Sequence, residues 1–375
     1  MPEPFKNFFN PQMIAQMGHH LKNANAEFDA AKFQNLATRN FDALELKQRS
    51  TQITQALTAT LPPDFRSASQ IMQQALHPVD DADLGDMGMD DRGIRGWPIM
   101  PMADYVAEQG MDDFDFSMDM LAEFTKRFSS EFAVRHFFID DQERALKKAM
   151  QWTGHENHHV RRLASEGSRP RLPWGIQLTS LVKDPTPLLP LLEKLQDDDH
   201  EYVRRSVANN INDIAKDHPD VVAKLAGRWL KNANQNKTRM VKHACRTLIK
   251  KGHKPTLAAL GYGKPDVDLT EFQIHTPEVA LGKHLEFSVT LMSRSKTSQP
   301  LILDFNIHHQ MANGKLSPKT FKWKILDLPA GQSVTVSKRH AIKPITTRKY
   351  YVGTHKLEIQ VNGEIMAQKE FKLVV

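Results

Sequence analysis

The residues most suited to chemistry lie in one stretch, His158-His159-Val160-Arg161-Arg162-Leu163-Ala164-Ser165-Glu166-Gly167-Ser168-Arg169-Pro170-Arg171-Leu172-Pro173-Trp174. As a helix it sets Glu166 between Arg162 and Arg169 on one face and gives Val160, Leu163 and Ala164 an apolar edge on another. Gly167 reads as the C-cap, and Pro170 and Pro173 stiffen the segment that carries Arg169, Arg171 and the Trp174 indole. An Arg/Glu pair four residues apart is more often a solvated surface pair. The company of basic groups, one acid and one aromatic face suits instead a polyanion whose reaction develops positive charge. Guanidinium groups hold phosphates while the carboxylate stabilises a nearby cation.

A second acid, Glu131, opens Glu131-Phe132-Ala133-Val134-Arg135 after Ser129-Ser130. That pattern predicts a capped helix start with Glu131 in its first turn, where the helix dipole alone explains a carboxylate. Upstream, residues 11–60 suit several short helices broken by Pro62-Pro63. The acidic run Asp80–Asp91 lacks the spacing and closing Glu of an EF-hand and reads as a solvated loop. Arg95-Gly96-Trp97-Pro98-Ile99-Met100-Pro101 reads as a packing corner, and Met120, Leu121, Phe124 and Phe128 as a helix's apolar face.

An internal repeat positions the central stretch. Val160-Arg161-Arg162 is echoed by Val203-Arg204-Arg205 and more weakly by Val241-Lys242-His243, with the valines 43 and 38 residues apart. Each echo follows another helical segment, Glu143–Trp152, Leu188–Leu195 and Val221–Leu230, so stacked HEAT-like helix pairs are predicted. Equivalent positions of such a solenoid share one surface, which places Arg162, Arg205 and His243 in line. Asn209, one turn before Asp213, occupies the place of Glu166, so the acid departs from the repeat on a binding face. His155, His158 and His159 have spacings at which two rings can share a metal, but no third ligand is fixed; repeat-turn or phosphate contacts are the expectation.

The 50 Lys+Arg against 44 Asp+Glu give only +6, but the basic residues are unevenly placed. From Val221 to Pro265 there is no acid, while Lys224, Arg228, Lys231, Lys242, Arg246 and Lys250 are among the bases, the footprint of a nucleic-acid surface or of an acidic partner. Cys245 is the only cysteine, which excludes an intrachain disulfide and a CxxC site and fits a reducing compartment. The first residues lack a signal-peptide pattern and no run approaches the about 18 apolar residues of a membrane span, so a cytoplasmic protein with no membrane partner is expected.

After Gly261-Tyr262-Gly263 the pattern changes to alternating runs at Leu285–Leu291, Leu301–Ile307, Phe321–Leu326, Ser333–Ser337 and Lys356–Val361. Gly331, Gly353 and the hairpin signal Asn362-Gly363 punctuate them, predicting a β-sandwich. His308 and His309, adjacent on a strand, point to opposite faces. Lys338, Arg339, Lys343, Arg348 and Lys349 lie near its loops, where they suit a bound polyanion. The expected organisation is a mainly α HEAT-like-repeat solenoid over residues 1–265 followed by a small all-β sandwich over residues 268–375.

Ser130-Glu131-Phe132-Ala133-Val134-Arg135, the stretch Val160–Trp174 and Val203-Arg204-Arg205-Ser206-Val207-Ala208-Asn209-Asn210-Ile211-Asn212-Asp213 together resemble the AlkC family of HEAT-like-repeat DNA glycosylases. The sandwich of residues 268–375 resembles the all-β immunoglobulin-like domain that some members carry and others lack. The resemblance implies a monofunctional enzyme that excises cationic N3-alkylated bases, 3-methyladenine and 3-methylcytosine, from duplex DNA and leaves an abasic site. It implies Glu131 and Glu166 as the active-site carboxylates and Trp174 as the aromatic wall beside the lesion. Arg161, Arg162, Arg204 and Arg205 would contact the DNA backbone; Arg169, Arg171, Asp213, Lys242 and Arg246 complete the expected DNA-binding set, with Asp213 the weakest match.

The chemistry is consistent with this resemblance. A cationic base needs no protonation to leave, a carboxylate steadies the sugar cation, and an indole attracts the positive ring. No metal or cofactor is expected, in keeping with the lack of a Walker loop or a GxSxG elbow. Alkylated duplex DNA is the expected partner, without an obligate protein partner, and an open groove works as a monomer. A non-enzymatic helical-repeat scaffold binding an acidic partner is the competing reading, and non-catalytic binding of damaged DNA a third.

Overall fold

The computed structural model describes residues 4–79, 88–345 and 349–374. Asp80–Met87 of the acidic run, and Arg348, lie outside them. The chain divides into two compact units at Asp213/Ile214. Among the described residues no helix is long and apolar enough to cross a membrane.

The first unit is helical. A 3-10 turn, Phe5–Phe8, precedes α1 (Pro11–Ala24), α2 (Ala30–Ala37), α3 (Leu46–Thr60), α4 (Phe65–Gln74), α5 (Ile99–Gln109) and α6 (Phe114–Thr125). Then follow α7 (Val134–Asp140), α8 (Gln142–Trp152), α9 (His158–Gly167), α10 (Thr179–Lys183), α11 (Leu189–Leu195) and α12 (Glu201–Ile214). Side-chain caps set several starts. Asn10 accepts from Met13 N at 2.9 Å, Asp141 from Arg144 N at 3.0 Å and Asn157 from His159 N at 2.8 Å, each satisfying an amide the helix leaves unpaired. The predicted apolar edge of α9 is its core face: Val160, Leu163 and Ala164 are fully buried. Through it α9 packs on α6, α8 and α11.

Two local expectations change. Gly167 belongs to α9, whose cap residue is Ser168. The glycine is needed for close approach, because a Cβ there would stand 2.5 Å from Val134 Cγ2. Helix α7 begins at Val134, not at Glu131, and the intervening turn leaves the Glu131 side chain free to serve something other than helix amides.

The second unit contains α13 (Pro219–Trp229), α14 (Gln235–Ala244), α15 (Arg246–Lys250) and α16 (Lys254–Ala259), then only strands. These are β1 (Val267–Ile274), β2 (Glu278–Ala280), β3 (His284–Ser293), β4 (Gln299–Gln310), β5 (Leu316–Leu328), β6 (Ser333–Ala341), β7 (Gly353–Val361) and β8 (Glu364–Val374). They form a three-stranded sheet, β1-β3-β6, and a five-stranded sheet, β2-β8-β7-β4-β5, antiparallel except for the parallel β2/β8 pair. Leu285, Phe287, Val289 and Leu291 of β3 and Leu301, Leu303, Phe305 and Ile307 of β4 are fully buried at alternate positions and share one core, as period-two patterning requires. The Asn362-Gly363 turn joins β7 and β8 with φ of 47° and 77°, the geometry of a type I′ hairpin. Lys338 and Arg339 lie within β6 and not in a loop, and Arg339 pairs with Glu286 of the neighbouring strand at 3.0 Å.

Candidate active site

The turn before α7, the C-terminal half of α9, the loop after it and α12 bring opposite charges together. Arg162 on α9 is ion-paired to Glu131, and its Nη2 lies 3.6 Å from Glu166 Oε1 one turn further on. Arg169 Nη1 lies 2.6 Å from the same oxygen, and Arg169 Nε donates to Asp213 Oδ2 at 2.8 Å. The result is an alternating chain, Glu131, Arg162, Glu166, Arg169, Asp213. Glu166 is buried, not displayed on an open face as the repeat comparison suggests. Burial disfavours its charge, but the Arg162 and Arg169 guanidinium groups outweigh that penalty and hold its carboxyl below the ordinary value. Burial also opposes the charge on Arg162, yet Glu131 and Glu166 hold its pKa above normal.

Glu131, Arg162, Glu166 and Arg169 of this chain line a cavity of about 380 Å³ whose other walls include Trp97, Phe128, Phe132, Trp174 and Tyr202. Glu131 is the more accessible carboxylate. Ser129 Oγ donates to its Oε2 at 2.7 Å, Arg162 binds the same oxygen, and among the described contacts Oε1 carries none. Trp174 stands 60 % exposed at the rim with φ of 65°, a costly conformation for an indole residue. Lys47 holds its carbonyl from across the unit. Beneath it Arg135, fully buried, donates to the carbonyls of Gly167 (3.0 Å), Arg169 (2.8 Å) and Ile176 (2.5 Å), and Gly175 leaves room for that guanidinium. The loop carrying Arg169 and Trp174 is thus pinned at both ends.

Other predicted residues are placed differently. Arg161 grips Asp198 at 2.7 and 3.0 Å and donates to the carbonyls of His155 and Glu156. Arg204 likewise donates to the carbonyls of Asp198 and Asp199. In both echoes the first arginine therefore folds back five and six residues to close the turn before its own helix. Arg162 is consumed by carboxylates and stacks 4.7 Å over the Tyr202 ring. Arg205 is exposed and pairs with Glu201, one turn earlier on α12, and Arg171 is half-buried. In the second unit Lys242 is exposed, while Arg246 is half-buried and donates to the His243 carbonyl at 2.9 Å. The His158 ring stacks on His200 at 3.7 Å, and His308 pairs with Glu358. Among the described residues no His, Cys, Asp and Glu cluster has the arrangement of a metal site.

Trp97, Tyr202, Phe128 and Lys47 are site residues that sequence reasoning did not single out. Trp97 is the instructive one, because the turn expected to be a packing corner delivers its indole to the cavity wall. Tyr202 carried a signal: it holds the repeat position of His159, just before the shared valine.

Residues 108–248 match the DNA alkylation repair enzyme family, and residues 268–375 match the C-terminal Ig-like domain family typified by the uncharacterised protein YhaZ. The class is thus a DNA alkylation repair enzyme with an Ig-like domain. Over 370 residues the chain is 35% identical to the uncharacterized protein YhaZ of Bacillus subtilis (strain 168), covering 98% of this chain and 99% of that one. It superposes with a TM-score of 0.87, at 34% identity and over 100% of both chains, on the alkylpurine DNA glycosylase AlkC of Pseudomonas fluorescens, a protein bound there to DNA containing an abasic site analog. The chain belongs to the AlkC family of DNA glycosylases.

Proposed function

We propose that this protein hydrolyses the N-glycosidic bond of cationic N3-alkylated bases, 3-methyladenine and 3-methylcytosine, in duplex DNA. The observation that carries the reading is the pairing of two arginine-anchored carboxylates, Glu131 and Glu166, with aromatic walls in one cavity. A cationic heterocycle is attracted to electron-rich indole and phenol faces. When the C1′–N bond breaks, its electron pair leaves with the base, which departs neutral, and the sugar becomes an oxocarbenium ion. Fixed negative charge stabilises that ion without reorganisation. Glu131, with Oε1 open, orients the water that adds to C1′ and takes up the proton it loses; Glu166, locked between two guanidinium groups, supplies charge. Trp174 is the wall against the lesion.

The remaining assignments follow. The pairs α8/α9, α11/α12 and α13/α14 are HEAT-like repeats, and the turn-closing roles of Arg161 and Arg204 at equivalent positions support that reading. Residues 1–265 form the glycosylase domain, and the sandwich of residues 268–375 grips DNA. The exposed bases Lys224, Arg228, Lys231, Lys242 and Lys250 contact phosphates, and the protein acts as a monomer. The test is direct: incubate duplex DNA bearing N3-methylated bases with the protein and measure released base. Release of 3-methyladenine or 3-methylcytosine with abasic sites left in the DNA supports the reading; tight binding without release refutes it in favour of a damage-binding protein.

A further inference from the structure

The 3-10 turn Phe5–Phe8 is built in an unusual way: its backbone is anchored firmly while its rings face water. Phe5 and Phe8 are 58% and 43% exposed. Arg49, itself buried, donates to the Lys6 carbonyl at 3.0 Å and the Phe9 carbonyl at 2.7 Å, and Lys6 pairs with Glu45 at 2.9 Å. A segment held by a buried guanidinium is not a loose end. Placing two phenyl rings in solvent carries a hydrophobic cost that folding alone does not explain.

The rings continue the wall of the lesion cavity. Phe8 stacks on Trp97 with centroids 4.9 Å apart and planes 8° from parallel, and Phe5 meets Trp174 edge-on at 5.9 Å. Trp97 and Trp174 line the cavity itself. The aromatic surface therefore starts inside the pocket and runs out over its rim without a polar break at these contacts.

We propose that Phe5 and Phe8, with the outer face of Trp174, form a stacking platform for an undamaged nucleobase next to the lesion. The inference rests on the glycosylase reading: exposing an alkylated nucleotide to Glu131 and Glu166 separates it from its neighbour, whose freed face loses a stacking partner. An aromatic ring replaces that partner for any of the four bases, because each has a π-face. The platform therefore contributes to lesion exposure without reading sequence.

The test uses the full-length protein and a duplex in which 2-aminopurine, whose fluorescence falls on stacking, stands beside an abasic-site analogue. Wild type is expected to dim the probe, and the double variant F5L/F8L, which keeps apolar bulk but removes the π-faces, to lose that dimming and bind roughly tenfold more weakly. Dimming and affinity equal to wild type in F5L/F8L would overturn the platform. A single Trp174→Leu variant that alone abolishes dimming while F5L/F8L retains it would also overturn it. Release of N3-methylated base by wild type is measured in parallel, so that a wild type unable to release base sinks the glycosylase reading, whereas an active wild type with an indifferent F5L/F8L sinks only the platform.

Discussion

Arg169 Nη1 lies 2.6 Å from Glu166 Oε1 while Arg169 Nε lies 2.8 Å from Asp213 Oδ2, so one buried guanidinium joins α9 to α12 through two carboxylates. A charge so placed is compensated on both sides, and removing it takes from two buried acids the guanidinium they share. Replacing Arg169 by Met is expected to destabilise the protein by about 3 kcal/mol, the usual consequence of breaking a buried ion pair by removing one partner. Urea unfolding checks the value. A loss below about 1 kcal/mol, as exposed pairs give, would mean that this junction is solvated.

Arg162 is expected to act on chemistry more than on DNA affinity, because its guanidinium is spent on Glu131 and Glu166 and not offered to phosphate. Arg162→Ala should slow base release while leaving the salt dependence of binding close to wild type. A slope smaller by about one unit would mark a lost phosphate contact instead.

Arg135 positions the site without touching it. Its guanidinium holds the Gly167 carbonyl at the end of α9 and two carbonyls, Arg169 and Ile176, of the loop that carries Trp174, and burial, helped by the neighbouring Arg169 charge, pushes its pKa down to about 10. Arg135→Lys keeps a cation but cannot span all three acceptors. The expectation is a single-turnover rate lower by about tenfold or more, with altered Trp fluorescence near the pocket and DNA affinity little changed. A variant with wild-type rate and emission would separate Arg135 from the site.

The helical and strand segments were largely legible in the sequence because their signals are local. Val160, Leu163 and Ala164 announce the core face of α9 by period, and the alternation from Leu285 to Leu291 announces a strand. The grouping of Glu131, Glu166 and Trp174 was legible only through the family resemblance; their spacing alone allowed exposed surface pairs. The partners of the arginines were not legible. Whether Arg161 meets Asp198 or a phosphate depends on a turn from the next helix pair, and Trp97 joins the site through residues far from it in the chain. Gly167 misled for a related reason: a helix-ending glycine and a close-contact glycine look alike until Val134 is seen against it.

Asp104 sits half-buried beside Ser50, whose hydroxyl donates to it at 2.9 Å, and loss of solvent with the nearby Glu108 pushes its pKa up to about 6. An acid whose folded-state pKa lies above its ordinary value of 3.8 costs stability as pH rises between the two, and the full cost applies above about 6. Asp104→Asn is therefore expected to raise stability at pH 8 by about 2 kcal/mol and to have a much smaller effect at pH 4. Thermal melts at the two pH values check the sign; equal shifts at both would remove the ionisation argument. Glu166 has the opposite sign. Its lowered pKa contributes stability above the ordinary value of 4.5, lost as pH falls through the folded value.

The central claim is that Glu131 and Glu166 of the charge chain stabilise a sugar cation. The most direct measurement is single-turnover release of 3-methyladenine from duplex DNA by wild type, Glu131→Gln and Glu166→Gln, with DNA affinity determined on the same samples. Each variant should release base about 100-fold more slowly or worse, since an isosteric amide removes charge but little volume, while binding holds near wild type. Release at the wild-type rate by both variants would contradict the account.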